Sequence, residues 1–222
     1  MRRALTKRDV DILEQKGLWK AHSYLHRVVK KLARKKLPVE LRYIRQAHLT
    51  AFTVARQPEV GGKYRRGNDP ELRRINGTPL PMADWREISN RLAGLDYELR
   101  EETKDLHAPK TEKDYRDLIL LAATLSHRFA SIHPFKNGNG RASRLLIDAI
   151  LMRAGLSSVA IKEEKPRYLR AMRQADDGDY SMLEEMIVDS LAESKRELYR
   201  VAFRKQAELQ RPRRHRKVRS RR

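Results

Sequence analysis

The chain of 222 residues contains no cysteine, which excludes disulfide bonds, thiolate metal ligands and a cysteine nucleophile. Glycine and proline are scarce, with 10 and 9 residues, and aromatic residues make up only 6%. Alanine, leucine, arginine, lysine and glutamate are abundant instead, and this composition favours helices. No apolar run approaches the roughly 18 residues that a membrane-spanning helix needs, and the first residues lack the apolar core of a signal peptide. We therefore expect a soluble, cytoplasmic protein without a membrane span.

Acidic residues are few relative to basic ones, 29 against 50, which gives a formal net charge of +21. Residues 211–222 hold eight basic residues and no acid, and residues 27–36 form a second basic cluster. Such patches attract nucleic acid, anionic membrane surfaces or acidic proteins. Because the C-terminal segment has almost no apolar content, we expect it to be a disordered basic tail. It either contacts nucleic acid in the cell or solvates the chain and binds polyanions without selectivity.

Apolar residues recur at helical spacing along most of the chain. The predicted helices cover residues 9–32, 39–53, 82–102, 111–132, 141–155, 166–173 and 180–208. Gly17 is a candidate interruption of the first helix. Thr111, with Asp114 three residues later, has the form of an N-terminal capping pair. His48 is interpreted as a packed or solvent-edge histidine on the second helix.

Residues 58–81 differ from the rest of the chain because they are rich in glycine, proline and asparagine. Short β-capable pieces on either side of a turn at residues 67–70 predict a β-hairpin over about residues 61–77.

The segment 133–144 reads His-Pro-Phe-Lys-Asn-Gly-Asn-Gly-Arg-Ala-Ser-Arg. Its glycines adopt positive φ at little cost, so successive N–H groups can turn inward at the start of the following helix and bind a phosphate. Arg141 and Arg144 lie three residues apart on one helix face and can contact the same anion. His133 stands where it could take a proton from an attacking hydroxyl. These residues favour transfer of part of a nucleotide to a hydroxyl; the alternative is a glycine-rich helix start with His133 as a capping or core residue.

These residues resemble the signature of the Fic family, His-x-Phe-x-(Asp/Glu)-Gly-Asn-Gly-Arg-x-x-Arg, with Asn137 in place of the acidic residue. The resemblance extends over roughly residues 40–195 and implies an all-α, Fic-type helical bundle. It also implies that the predicted hairpin is a flap, at about residues 58–81, close to the motif, whose strand edge offers main-chain hydrogen bonds to an extended target segment. The alternative is a surface hairpin with no partner. The expected division of the chain is an N-terminal helical extension (1–38), a Fic domain (39–195), and the end of the C-terminal helix with the basic tail (196–222).

The resemblance assigns a role to each motif residue. His133 would be the general base on a Ser, Thr or Tyr hydroxyl of a target protein, because a histidine pKa near neutrality lets it accept a proton in the cell. Phe135 would pack into the core. Nucleotide phosphates would be bound by Gly138, Asn139, Gly140, Arg141 and Arg144. The target segment would be held by flap residues Gly62, Lys63, Tyr64 and Arg65.

Asn137 stands where the family holds Mg²⁺ with a carboxylate. Hard cations prefer charged oxygens, although an amide oxygen can serve as a ligand. We expect weakened metal dependence, with Mn²⁺ able to replace Mg²⁺. The change leaves open a different donor, a different phosphate orientation or an inactive enzyme. The neighbouring Lys136 is expected to point into water, and His127, on another helix face than His133, is interpreted as structural.

The resemblance implies a protein adenylyltransferase, a nucleotidyltransferase that uses ATP as the AMP donor. Two alternatives stay open: a phosphotransferase with the nucleotide reversed, and a non-catalytic protein that binds polyanions or nucleic acid. In the family an inhibitory Ser/Thr-x-x-x-Glu-Gly/Asn helix is frequent, and its glutamate pairs with the second motif arginine, here Arg144. The chain has only Ser181 and Glu185 at that spacing, followed by Met186, and we interpret this match as structural. The inhibitor would then be a separate protein, as in a toxin–antitoxin pair.

Overall fold

The computed structural model describes residues 6–67, 82–159 and 165–209, and in these ranges the chain forms seven helices. They are α1 (Lys7–Lys35), α2 (Leu41–Val54), α3 (Ile88–Lys104), α4 (Glu112–Ile132), α5 (Asn139–Arg153), α6 (Lys165–Asp176) and α7 (Ser181–Leu209). The described residues contain no strand beyond one isolated bridge. The all-α prediction is therefore confirmed, and each predicted helix is present.

Helix boundaries follow local hydrogen bonding. The Thr111 side chain accepts a hydrogen bond from the Asp114 N–H (3.1 Å), and the Asp114 carboxylate accepts one from the Thr111 N–H (3.0 Å). This capping box confirms the predicted start of α4. Helix α3 starts later than predicted, at Ile88, because the Asp84 side chain and carbonyl accept the N–H groups of Arg86 and Glu87 in a preceding turn.

Helix α5 lies at the centre of the fold and packs against α1, α2 and α4. Nearly all of its residues are buried, including the acid Asp148. The Asp148 carboxylate accepts hydrogen bonds from the Val159 N–H (2.8 Å) and the Ser158 hydroxyl (3.1 Å), and lies 3.1 Å from His22 Nδ1 on α1. The buried Asp148 carboxylate is thus hydrogen-bonded by neighbouring elements, which offsets the cost of removing a polar group from water.

Helix α1 is continuous through Gly17, so the predicted interruption does not occur. Gly17 is buried where α1 crosses α2, and a Cβ placed on it would lie 2.3 Å from the Ala51 carbonyl oxygen. The glycine therefore permits a close helix crossing. Since α1 packs on both α2 and α5, it belongs to the same core; the division into extension, domain and tail stays a prediction.

Most of the predicted β-hairpin falls on residues 68–81, which lie outside the described residues. The described part, residues 58–67, is called the flap base below. It runs through turns and forms one antiparallel bridge, between Tyr64 and Phe135 of the motif. The basic tail also lies outside the described residues. Among the described helices, none has the length and apolar character of a membrane span.

Replacing Gly17 by alanine should lower the free energy of unfolding by about 1–3 kcal/mol, because the new methyl group meets a backbone carbonyl that cannot move independently. The matched control is Gly94→Ala on α3, where a Cβ meets nothing within 4 Å. That change should raise stability by about 0.5–1 kcal/mol through helix propensity. Urea unfolding followed by circular dichroism measures both; equal stabilisation by the two alanines would contradict the close crossing.

Candidate active site

His133 caps the C-terminal end of α4 in the left-handed region, with φ 51° and ψ 58°. A non-glycine residue in this region costs about 1–3 kcal/mol, which the surroundings must offset. The His133 N–H donates to the Ala130 carbonyl (3.1 Å), and its carbonyl accepts from Arg65 Nε (2.8 Å). The half-buried histidine is therefore held on both sides at the point where the chain leaves the helix.

Arg65 of the flap base is buried beneath this turn, with 5% of its surface exposed. Its guanidinium donates to the carbonyls of His133, Ile132, Gly67 (2.8 Å) and Ala83. Its main-chain N–H donates to the Pro134 carbonyl (2.9 Å). Both the side chain and the main-chain N–H of Arg65 thus satisfy carbonyls at the end of α4 and in the motif loop.

Asn139, the first residue of α5, closes the motif loop. Its side-chain oxygen accepts the Phe135 N–H (2.9 Å), and its amide nitrogen donates to the Phe135 carbonyl (2.7 Å). The same nitrogen lies 3.1 Å from both ring nitrogens of His133. One buried amide therefore sets the loop and the imidazole together, in addition to the phosphate role expected for this residue.

His48 on α2 is the site residue that the sequence analysis undervalued. It is not at a solvent edge, because only 2% of its surface is exposed. Its Nδ1 accepts the Gly62 N–H (3.0 Å), so Nε2 carries the hydrogen that it donates to the Asn137 carbonyl (2.9 Å). Its ring stacks on Phe135 with centroids 3.8 Å apart. The available signal was its spacing of four from both Ile44 and Phe52, which places all three on the buried face of α2.

Both histidines are held in the neutral form. Burial lowers the pKa of His48 to about 4, with a smaller contribution from the Arg141 charge, while the bond to Asn137 acts in the opposite direction. Burial also lowers the pKa of His133 to about 4, and the Arg65 charge adds to this. The expectation of a near-neutral pKa for His133 is thus corrected. The ring is free to accept a proton at pH 7, but it is a weaker base than an exposed histidine.

The motif glycines at 138 and 140 are in different environments. Gly138 has φ 81°, and a Cβ there would lie 2.7 Å from the Phe52 ring and 2.9 Å from His48 Nε2. Gly140 lies within α5 without positive φ, and its Cβ would make only ordinary contact, 3.7 Å from Tyr168. The fold requires glycine at position 138 and tolerates a methyl group at position 140.

Arg141 and Arg144 each lie against an aromatic ring, on Phe52 and on Tyr168 respectively. The Arg141 guanidinium lies 4.8 Å from the centre of the Phe52 ring, and its Nη1 is 3.3 Å from a carboxylate oxygen of Glu14 on α1. The Arg144 guanidinium lies 5.0 Å from the centre of the Tyr168 ring and has no ion pair among the residues described. Arg144 is thus available to an incoming anion, whereas Arg141 would exchange Glu14 for one.

Asn137 and Lys136 are exposed at the tip of the loop. The Asn137 side chain makes no hydrogen bond with the described part of the chain; its main-chain carbonyl accepts from His48. In that part of the chain, no group of three or more His, Asp or Glu side chains could hold a metal ion. At the tip of the loop, the Asn137 side chain therefore presents a neutral oxygen to solvent.

Two residues that the sequence analysis interprets as structural, His127 and Glu185, make their contacts away from this loop. His127 is buried between α4 and α6, with Nε2 2.9 Å from Asp176, which agrees with a structural role. Glu185 on α7 pairs with Arg167 (3.4 Å) rather than with Arg144.

Stability should fall in acid through the two neutral histidines. Between pH 6.5 and about 4 the unfolded chain binds protons that folded His48 and His133 do not, so the free energy of unfolding decreases as the pH falls, by up to about 1.4 kcal/mol per unit for each. His48→Gln, which keeps a side-chain amide donor, should reduce this slope between pH 6.5 and 5. Urea titrations at several pH values measure it, and an unchanged slope would refute neutral burial of His48.

A model of the Fic/DOC family matches residues 38–151, just over half of the chain. Similar curated proteins include the protein adenylyltransferase Fic of Drosophila virilis and of Drosophila melanogaster, each 41% identical over 69 residues. These matches cover 31% of this chain and 14% of each relative, so the chain spans a small part of their length.

Solved structures extend the likeness across the fold. A Fic-domain signaling protein from Bacteroides thetaiotaomicron matches with a TM-score of 0.63 and 25% identity, over 82% of this chain and 70% of the other. The BepC effector of Bartonella tribocorum, solved with bound AMPPNP, matches with a TM-score of 0.52 and 20% identity, over 79% of this chain and 86% of the other. The predicted Fic-type fold is thus confirmed, and the chain belongs to the Fic/DOC family.

Proposed function

We propose that the protein is an adenylyltransferase that moves AMP from ATP to a Ser, Thr or Tyr hydroxyl of a target protein. The observation that carries the proposal is the position of neutral His133 beside the open N-terminus of α5. The adenylyltransferase activity of the Drosophila relatives supports it.

The start of α5 is suited to the phosphates. Its first helical hydrogen bond runs from the Ala142 N–H to the Gly138 carbonyl (2.9 Å), which leaves the N–H groups of residues 139–141 without helical acceptors. These groups and the helix dipole favour an anion. The missing side chain of Gly140 allows an anion to approach the backbone, and Arg144 stands one turn further along the helix.

His133 would take the proton of the target hydroxyl as the hydroxyl oxygen bonds to the α phosphorus. The bond from that phosphorus to the bridging oxygen breaks, and pyrophosphate leaves. Asn139 holds the imidazole in place through its amide nitrogen. Negative phosphates beside the ring would oppose the effect of Arg65 and raise the pKa of His133, which makes it a better base when ATP is bound.

Asn137 is the residue that would hold Mg²⁺ or Mn²⁺. One neutral oxygen does not form a cation site alone, but it fits an ion whose other ligands are phosphate oxygens and waters. Such an ion, when bound, offsets phosphate charge. Because an amide oxygen carries less charge than a carboxylate, we expect weaker binding than with an acid at this position.

Regulation by a separate inhibitory protein, as in a toxin–antitoxin pair, is part of the proposal. Its support is that Glu185, at the spacing of an inhibitory glutamate, pairs with Arg167 on α6.

Alanine substitutions at the two motif glycines should affect different properties, stability at position 138 and nucleotide binding at position 140. Gly140→Ala should unfold like the wild type but bind ATP roughly tenfold more weakly, since a methyl group blocks approach of the phosphate. Gly138→Ala should lose about 1–3 kcal/mol of stability from backbone strain and overlap with Phe52 and His48. Urea unfolding and calorimetric ATP titration distinguish them. Unaltered ATP affinity in Gly140→Ala would place the phosphates elsewhere.

Transfer itself is tested by incubating the protein with cell lysate, Mg²⁺ or Mn²⁺, and ATP labelled at the α or γ phosphate. We expect α label on protein, lost in His133→Ala and kept in the control His107→Ala, an exposed histidine. Asn137→Asp should increase labelling at low Mg²⁺. Label from γ alone would instead identify a phosphotransferase, and no label with either metal would refute the proposal.

A further inference from the structure

A cavity of about 820 Å³ opens between the flap base, the start of α3 and the motif loop. It borders the loop that carries the candidate base, because the lining residue Arg65 donates to the His133 carbonyl and the lining residue Lys136 belongs to the same loop. A segment held in the cavity would therefore run past this loop.

The lining of this cavity carries an excess of positive charge. Among the described lining residues, Glu59 is the one acid. The cationic lining residues are Arg45, Lys63, Arg65, Arg66, Arg86 and Lys136. A concave surface of one charge sign concentrates ligands of the opposite sign.

Three of these cations are already engaged. Arg65 donates to carbonyls, Arg45 donates to the Gly62 carbonyl (2.8 Å), and Arg86 pairs with Asp84 (3.4 Å). The exposed side chains of Lys63, Arg66 and Lys136 form no hydrogen bond or ion pair within the described ranges. These three, named the cavity triad below, are available to a ligand.

The main chain of the flap base indicates the shape of that ligand. The Arg65 N–H points at the motif loop, where it meets the Pro134 carbonyl (2.9 Å). Since peptide groups alternate in direction along an extended segment, the N–H and carbonyl of Tyr64 point to the opposite edge. An extended chain can pair there, and Tyr64 and Trp85 add aromatic surface to the cavity.

We propose that this cavity selects an acidic, extended segment of the target protein, with Asp or Glu side chains beside the modified hydroxyl. The proposal deepens the adenylyltransferase function and rests on it for the identity of the ligand as a target. The cavity triad would pair with the carboxylates, and the Tyr64 edge would hold the main chain. A nucleic acid would satisfy the same charges but would leave that edge unused.

The test is direct binding without ATP, measured by fluorescence anisotropy with the full chain. The probes are a labelled twelve-residue peptide with a central serine flanked by Asp and Glu, and the same peptide with Asn and Gln. We expect the acidic peptide to bind roughly tenfold more tightly in low salt, with the difference shrinking in high salt.

A matched pair of variants locates the binding. Lys63→Gln, Arg66→Gln and Lys136→Gln together should remove the preference for the acidic peptide. The control, Lys30→Gln, Lys31→Gln and Lys35→Gln, removes the same charge from the surface of α1 and should keep it. Equal losses in the two triple variants would show that overall charge is responsible and would overturn the proposal.

Two further outcomes are decisive. If a labelled single-stranded oligonucleotide depends on the cavity triad while the peptides bind alike, the cavity is a nucleic-acid site and the proposal is wrong. The proposed function fails separately: acidic-peptide binding without any label transfer refutes transfer but keeps the cavity assignment. Label transfer with no preference for acidic targets would refute the cavity assignment but keep the proposed transfer activity.

Discussion

The arrangement of the site depends on the two hydrogen bonds of His48. One ring nitrogen accepts from Gly62 of the flap base and the other donates to Asn137 of the motif loop, at 3.0 and 2.9 Å. Because the ring is buried and neutral, it accepts on one side and donates on the other, which a charged imidazolium cannot do. The His48 side chain, together with the direct bonds from Arg65 to the motif loop, therefore sets the distance between the segment that would hold a target and the segment that would hold a nucleotide.

Local patterns predicted the parts of the fold that local physics determines. Apolar spacing located each helix, and the Thr111–Asp114 pair located the start of α4, because caps and amphipathic faces depend on residues within one turn. The roles of His48 and Arg65 depend on partners 89 and 68 residues away, which no local pattern encodes. The effect of Gly17 likewise depends on α2, so its sequence neighbours alone suggested a break rather than a close crossing.

Different residues of the motif stabilise the loop and remain accessible to a ligand. Gly138 and Asn139 serve the loop itself, the first through its positive φ and the second through its bonds to Phe135. Gly140 and Arg144 have no comparable duty to the fold and are free for a ligand. Such a division lets a strained turn remain stable while the adjoining helix terminus stays open.

Helix α1 packs so closely on α2 and α5 that the chain cannot be shortened to the family match without loss of core contacts. The family match begins at residue 38, yet the residues before it include Leu25 and Val29, which are fully buried, and Glu14, which contacts Arg141. Cutting at that boundary would expose apolar surface on α2 and α5 and remove a carboxylate from the motif. The range that the family model matches is therefore smaller than the helical core, and a transplanted motif region that begins at residue 38 would need a replacement for α1 to cover α2 and α5.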